Sequence, residues 1–205
     1  MKKLLIFTLL LCCTVRALSY TERNYLQKQA SVSSLQEVLI LNQQWVTYPA
    51  YTDRTGWDTF LGSFKNECIL RGEKQLNYQW QVVKATDYME FERSGNRSVM
   101  ETPFANNNNA IADLLLAELA EGKGRFIDQL INGVYHSCEM TSWALAAHLN
   151  AQQSRRSLPD FKENIIDLTA GDLGSLLAWT YYYMHQEFDK LNPAISERLR
   201  HTLQQ

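Results

Sequence analysis

The chain has 205 residues, of which 45% are hydrophobic and 11% are aromatic, and its 20 lysines and arginines nearly balance its 22 aspartates and glutamates. This composition is that of a folded protein with one core, and it excludes an intrinsically disordered chain. The formal net charge of −2 provides no overall attraction to nucleic acid. Nucleic-acid binding is therefore not expected, and a polyanion would need a local basic patch.

Residues 1–17 have the pattern of a secretory signal peptide. Lys2 and Lys3 form a charged start, residues 4–13 form an apolar segment, and Val15 and Ala17 are small residues that suit a cleavage site. We therefore predict a periplasmic or secreted protein with a helical domain over residues 18–205. The apolar run is shorter than the roughly 20 residues that span a membrane, so no stable membrane span is expected.

The cysteine positions limit where a lipid, a disulfide or a metal could be attached. Cys12 or Cys13 could carry a lipid, but Leu11 is a poor residue before a modified Cys12. After signal cleavage Cys68 and Cys138 remain, and we interpret them as buried thiols in preference to an inter-helix disulfide. Two cysteines without a close pair and four scattered histidines match no zinc-ligand spacing. Neither a metal nor a cofactor is predicted.

The mature chain begins with a polar segment and a short predicted helix. Ser33 or Ser34 can cap that helix, which is expected to end near Trp45. The next segment, TYPAYTDRTGW, is a loop that combines aromatic rings with Arg54. Anchoring by its aromatic rings is the commoner role of such a loop. Contact of Arg54 with a sugar or its acidic group is the functional alternative.

Apolar residues at helical spacing predict two helices over about residues 57–91. Gly72 is the expected end of the first helix, and the turn SGN at residues 94–96 follows the second. The positions expected to face inward are Trp57, Phe60, Leu61, Phe64 and Cys68 in the first helix and Leu76, Trp80 and Val83 in the second.

Four consecutive asparagines at residues 106–109 precede another apolar segment. Asparagine favours helix starts, so we predict that this run caps a helix. Hydrogen bonding of spare amides to sugar hydroxyls is the functional alternative. Gly122 and Gly124 are expected to separate that helix from the next one.

Residues 124–149 form the stretch around which we expect the fold to be organised. An apolar stripe at helical spacing comprises Ile127, Leu130, Ile131, Val134, Tyr135 and Cys138. Past that stripe the apolar pattern breaks, and a dense polar and aromatic set that includes His136, Glu139, Trp143 and His148 falls within roughly three and a half helical turns. One interpretation is a buried polar cluster that fixes helix packing, with a hydrogen bond between His136 and Glu139. The other is the wall of a binding cleft.

Two further helices complete the predicted elements. Asp172 is expected to open a long helix that is apolar on most sides and therefore buried on most sides. Asn192 as cap, with Pro193 at the first helical position, predicts the last helix. Helix hairpins with short connections and no convincing strand indicate an all-α fold.

The segment CEMTSWALAAHL, followed by RRSLPDFKENIIDLTAGDLGSLLAWTYYYMHQEFDKLNPAISERLRHTL, resembles the helical domain of bacterial heparinase II/III-like polysaccharide lyases. The resemblance covers about residues 38–205 and rests on helix-packing positions rather than on a short catalytic signature. It implies an exported enzyme that cleaves an acidic glycan by β-elimination, built as an α/α toroid followed by a β-sandwich.

The resemblance also implies that this chain is the leading part of such an enzyme. The asparagine, tyrosine and histidine catalytic positions of the family are expected beyond Gln205, so we assign no catalytic residue here and expect no activity of this part alone. An incomplete toroid and no β-sandwich are expected, with possible self-association through exposed apolar surface. The candidate substrate-binding residues are Arg54, His136, Glu139 and Trp143, and the expected partner is an acidic polysaccharide such as heparin, heparan sulfate or another uronate polymer.

A second hypothesis belongs to a different class of function. The chain could be a self-contained exported helical module that binds a glycan or a protein partner. No glycine-rich phosphate loop, nucleophile elbow or metal-binding helix motif occurs in the sequence. An in-frame continuation of the coding sequence with further helix hairpins and an asparagine-rich region containing tyrosine and histidine would favour the lyase.

Overall fold

A computed structural model describes residues 23–39 and 46–205. The predicted signal peptide at residues 1–17 lies outside the described residues. The chain divides into two compact units, Met1–Thr47 and Tyr48–Gln205, and each is described by itself.

The described residues are helical and contain no strand, which confirms the all-α prediction. The helices are α1 (Tyr25–Gln29), α2 (Val32–Val38), α3 (Arg54–Leu61), α4 (Lys65–Gln75), α5 (Ala85–Ser94), α6 (Ser98–Glu121), α7 (Ile127–Cys138), α8 (Leu168–Leu191) and α9 (Pro193–Leu203). Two 3-10 turns, Gly62–Phe64 and Ala146–Ala151, complete the set.

The first unit contains α1 and α2. Ser31, rather than Ser33 or Ser34, caps α2, because its hydroxyl accepts a hydrogen bond from the backbone N–H of Ser34 at 3.1 Å. The helix ends at Val38, earlier than the predicted end near Trp45. Trp45 itself lies outside the described residues.

The predicted first helix of the second unit is in fact α3, a 3-10 turn and α4. Gly62 adopts a positive φ of 50° and ends α3, and the tighter turn that follows changes the direction in which later side chains point. Trp57 is buried as predicted, but Phe60 and Phe64 are 55% and 71% exposed. Two of the predicted inward positions are therefore wrong.

Gly72 does not end a helix, contrary to prediction. It lies inside α4, which continues to Gln75. A Cβ atom placed on Gly72 would lie 2.2 Å from the Cβ of Ala117 on α6. Glycine is required here because it lets two helices approach closely, and not because it can adopt a left-handed turn.

The second predicted helix begins later than expected. Residues 76–84 form a non-helical connection, which starts with a turn at residues 76–77 and is extended after it, and α5 starts at Ala85. Leu76, Trp80 and Val83 nevertheless pack against the core, as predicted. Gly95, in the left-handed conformation with φ of 75°, ends α5 at the predicted turn.

The asparagine run lies in the middle of α6 rather than at its start. This helix runs without interruption from Ser98 to Glu121, and Gly122 ends it with φ of 66°. The prediction failed because the segment before the run, which lacks a clear apolar period, is also helical and buries Met100 and Phe104. Packing outweighs the weak helix propensity of asparagine here.

α7 ends at Cys138, so the predicted continuation of this helix to residue 149 is wrong. The chain leaves the helix at Glu139 and forms a loop before the 3-10 turn Ala146–Ala151. The indole N–H of Trp143 donates to the backbone carbonyl of Ser137 at 2.8 Å. The same carbonyl accepts from the backbone N–H of Met140 at 3.3 Å, so the loop after α7 satisfies a carbonyl of its last turn.

α8 begins at Leu168, one turn before the predicted start at Asp172. Asp167 caps it, because its carboxylate accepts from the N–H of Ala170 at 2.7 Å and from the N–H of Leu145 at 3.0 Å. The residues buried along α8 are Ala170, Leu173, Leu177, Thr180, Tyr183, Met184 and Phe188. Asn192 and Pro193 start α9 as predicted.

The core of the second unit forms around α6. This helix packs mainly against α4 and α7, and α8 packs mainly against α9. Twelve residues of α6 are buried, so its face is covered by helices that come before and after it in the sequence. Cys68 and Cys138 are both free thiols.

Candidate functional site

An open groove of about 340 Å³ lies where three segments of the second unit meet. The connection before α5 and the start of α5 form one side, the end of α7 forms another, and the loop near Pro159 forms the third. The lining residues are Val82, Val83, Ala85, Tyr88, His136, Glu139, Met140, Thr141, Leu158 and Pro159.

A buried asparagine fixes one wall of this groove. Asn107 of α6 is 2% exposed. Its Oδ1 accepts from the Tyr78 hydroxyl at 2.9 Å and from the Gln81 N–H at 3.0 Å, while its Nδ2 donates to the Gln81 carbonyl at 2.8 Å. These bonds hold the extended connection, including Val82 and Val83, against the helices.

The same amide sets the tautomer of His136. The Oδ1 of Asn107 already accepts from two donors, so its Nδ2 must face the Nε2 of His136, which lies 2.9 Å away. Nε2 is then the acceptor, and the proton of the neutral ring resides on Nδ1. The ring also stacks on Trp80, with centroids 6.1 Å apart.

Electrostatics keep His136 neutral. Burial lowers the pKa of His136, and the nearby negative charge of Glu139 opposes this effect only partly. In the described part of the chain the hydrogen-bond partner of His136 is Asn107, so Glu139 acts on the ring through its charge and not through the hydrogen bond that we predicted. Glu139 itself is exposed.

Tyr88 forms an inner wall of the groove. It is buried, and its hydroxyl donates to the backbone carbonyl of Ser142 at 3.1 Å. Burial raises the pKa of Tyr88 well above its ordinary value, so the phenol stays protonated. The bond ties α5 to the loop that follows α7 and thereby keeps the two sides of the groove at a fixed separation.

The lining carries one formal negative charge. Glu139 is its single carboxylate, His136 is uncharged, and neither lysine nor arginine occurs among the described residues that line it. Val82, Val83, Met140 and Leu158 provide apolar surface. The groove can therefore pack against an apolar face of a ligand and hydrogen-bond its hydroxyl groups at the rim.

Two of the four predicted site residues lie elsewhere. Trp143 is half-buried and packs against the core, with its indole N–H held by Ser137. Arg54 begins α3, where its Nη1 donates to the carbonyl of Leu119 at 3.0 Å and its guanidinium lies 5.0 Å from the ring of Tyr51. The structure thus brings His136 and Glu139 together and separates both from Arg54.

Sequence reasoning missed Asn107 and Tyr88. A signal for Asn107 was present, because its position continues the four-and-three spacing of buried residues along α6. That series is Met100, Phe104, Asn107, Ile111 and Leu114. A polar residue on an apolar stripe needs a buried partner. Tyr88 gave no comparable signal, since its role depends on a loop that approaches from distant sequence.

Neither a metal centre nor a membrane-spanning segment is found within residues 23–39 and 46–205. No group of three or more histidine, cysteine, aspartate or glutamate residues is placed to hold a metal ion there. No helix in the same ranges is both long enough and apolar enough to cross a bilayer.

No protein-family model matches the chain, and no curated protein sequence matches it.

Proposed function

We propose that the chain is the helical, substrate-binding portion of an exported polysaccharide lyase of the heparinase II/III-like type, acting on an acidic glycan by β-elimination. In this proposal the groove at the end of α7 holds one sugar unit. The observation that carries it is the placement of an oriented neutral imidazole and an exposed carboxylate, His136 and Glu139, at the rim of an apolar groove.

The dimensions and chemistry of the groove support a sugar ligand. Its volume of about 340 Å³ is at the lower end of the roughly 300–1,000 Å³ typical of small-molecule sites. A sugar ring has an apolar face of C–H groups, which suits Val83 and Met140, and a rim of hydroxyl groups. The Nδ1–H of His136 can donate to a hydroxyl, and Glu139 can accept from one.

The helix arrangement supports the toroid part of the proposal. α6 contacts α7, and α8 contacts α9, so two pairs of consecutive helices pack together, although α6 packs most extensively against α4. An α/α toroid is built by repeating such pairs. The resemblance of residues 38–205 to the helical domain of the lyases is consistent with this arrangement.

The groove is proposed for binding and not for proton abstraction. β-Elimination requires a base beside the uronate carbon, a group that neutralises the carboxylate and an acid for the leaving oxygen. The Nε2 lone pair of His136 is engaged by Asn107, and its Nδ1 carries a proton, so neither nitrogen is free to act as a base. We therefore expect binding without formation of unsaturated uronate.

Blocking the groove tests the proposal. Ala85 is exposed on its lining, so Ala85→Trp should fill the groove without disturbing the core. We expect titration calorimetry with heparin, heparan sulfate or alginate oligosaccharides to show binding to the natural chain and a loss of at least about tenfold in the variant. Ala105→Trp, an exposed position on α6, is the matched control and should bind normally. Equal affinity of both variants would reject the groove as the sugar site.

A self-contained exported module that binds a protein partner is the second candidate. The observation favouring it is the aromatic surface of α3 and its surroundings, where Tyr48, Phe60 and Phe64 are 44%, 55% and 71% exposed. Large exposed apolar patches mark interaction sites on soluble proteins. If this candidate is correct, the double variant Phe60→Ser, Phe64→Ser should abolish association of the chain with its protein partner in sedimentation measurements. Ala85→Trp should leave that association unchanged.

A further inference from the structure

A second depression lies beside the groove, on the other side of the C-terminal end of α7. One face of α9 lines it together with a tyrosine of α7, and its volume is about 420 Å³. The lining residues, which we call the α9 face, are Tyr135, Ala194, Glu197, Arg198, Arg200, His201 and Gln204.

Arg198 connects this face to the groove. Its Nη2 donates to the backbone carbonyl of Cys138 at 2.5 Å, and the next residue in the chain, Glu139, lines the groove. The guanidinium is thus fixed one residue from the groove at the carbonyl end of a helix, where a cation is favoured. Nη1 and Nε retain N–H donors for another acceptor.

The arginines of the α9 face outnumber its carboxylates. In the part of the chain that the structure describes, neither Arg198 nor Arg200 forms an ion pair, whereas Arg97, Arg125 and Arg156 each pair with a glutamate. Glu197 is a carboxylate on the same face. Two guanidinium groups against one carboxylate leave a net positive charge.

His201 adds a directed donor. Its Nε2 lies 2.7 Å from the Nε2 of Gln205. An amide nitrogen can only donate, so Nε2 of the ring accepts and Nδ1 is the ring nitrogen left to donate. Arginine forks bind carboxylate and sulfate groups through paired hydrogen bonds. The α9 face therefore provides what the groove lacks, namely cationic donors.

We propose that the α9 face binds the carboxylate or sulfate group of the sugar next to the one in the groove. This inference rests on the proposed function, because it requires a sugar in the groove. It assigns the two tasks of acidic-glycan recognition to different places. The groove holds a ring through apolar contacts and hydroxyl groups, and Arg198 and Arg200 hold the anionic group.

The test compares acidic and neutral oligosaccharides on the full chain. Arg200 is exposed, so Arg200→Gln should remove its charge without affecting folding. We expect about tenfold weaker binding of heparin and alginate oligosaccharides, because hydrogen bonds to charged groups contribute on this scale. Binding of a neutral cello-oligosaccharide should be unchanged. The matched control is Lys74→Gln on α4, an exposed cation that lines neither depression. Unchanged affinity of Arg200→Gln for both acidic probes would overturn the proposal.

Two further comparisons identify which anionic group is bound and separate a failure of the α9 face from a failure of the groove. A tenfold loss for sulfated heparin alone identifies sulfate as the bound group, and an equal loss for alginate identifies carboxylate. Inorganic sulfate should shift the Nε–H resonance of Arg198 in the natural chain, a readout that needs no variant. If Ala85→Trp abolishes sugar binding and Arg200→Gln changes nothing, the α9 face is rejected and the groove stands. If Ala85→Trp has no effect, the groove and this inference are both rejected, whatever sulfate does.

Discussion

Replacing Asn107 by alanine removes four hydrogen bonds at the base of the groove wall. The lost partners are the Tyr78 hydroxyl, both backbone groups of Gln81 and Nε2 of His136, at 2.8 to 3.0 Å. A net contribution of about 1 kcal/mol for each bond predicts a loss of about 4 kcal/mol in the free energy of unfolding. Such a loss is a large fraction of the roughly 5–15 kcal/mol that stabilises a typical domain.

Urea denaturation followed by circular dichroism measures this loss. Asn106→Ala is the matched control, because Asn106 is exposed on the same helix and should change stability by no more than about 0.5 kcal/mol. In Asn107→Ala the His136 ring also loses its orienting donor, so its nitrogen resonances should show a mixture of tautomers. A loss below about 1 kcal/mol, or an unchanged tautomer, would refute the assignment of Asn107 as the residue that organises the groove.

Three further predictions concern the scaffold. Glu118 is fully buried and accepts hydrogen bonds from one hydroxyl and two backbone N–H groups. Glu118→Ala should therefore lower the free energy of unfolding, measured by urea denaturation, by about 3–5 kcal/mol. A decrease of less than about 1 kcal/mol would show that these bonds contribute little. Gly72→Ala should lower the melting temperature, although alanine has the better helix propensity, because the new Cβ would lie 2.2 Å from the Cβ of Ala117. A rise in melting temperature would contradict the close approach of α4 and α6. Burial raises the pKa of Asp167, but hydrogen bonds from two backbone N–H groups and His148 outweigh it, and the pKa is lowered. The ionised carboxylate therefore stabilises the fold above its unfolded pKa of about 4, and this stabilisation is lost as the pH falls through the lower folded value. Asp167→Asn should flatten the dependence of stability on pH below about pH 4, and an unchanged dependence would exclude this linkage.

Helix faces could be predicted wherever local spacing and burial agree. The buried side of α8, through Leu173, Leu177 and Phe188, follows from a regular apolar period, and the Asn192–Pro193 start of α9 follows from capping chemistry that is complete within four residues. These features depend on neighbours in the sequence, so the sequence contains the information that decides them.

Helix ends that depend on distant or unusual partners could not be predicted. α7 ends where the following loop, through Trp143, bonds the Ser137 carbonyl, and Gly72 lies inside a helix at a position where Ala117 of another helix approaches closely. The candidate site divides in the same way. His136 and Glu139 are predicted from local crowding of polar residues and both line the groove, whereas Arg54, predicted from a separate aromatic loop, and Trp143, predicted from the same crowding, lie outside it. Their separation follows from tertiary packing, which residue spacing does not encode.

The most direct test of the central claim is a nuclear magnetic resonance titration of the natural chain with an acidic oligosaccharide. The proposed function predicts the largest shifts at Val83, His136 and Glu139, the residues that line the groove, with the shifts saturating together at one affinity. Shifts confined to Arg54, or to the exposed aromatic residues Phe60 and Phe64, would contradict the claim that the groove at the end of α7 is where this protein holds a sugar.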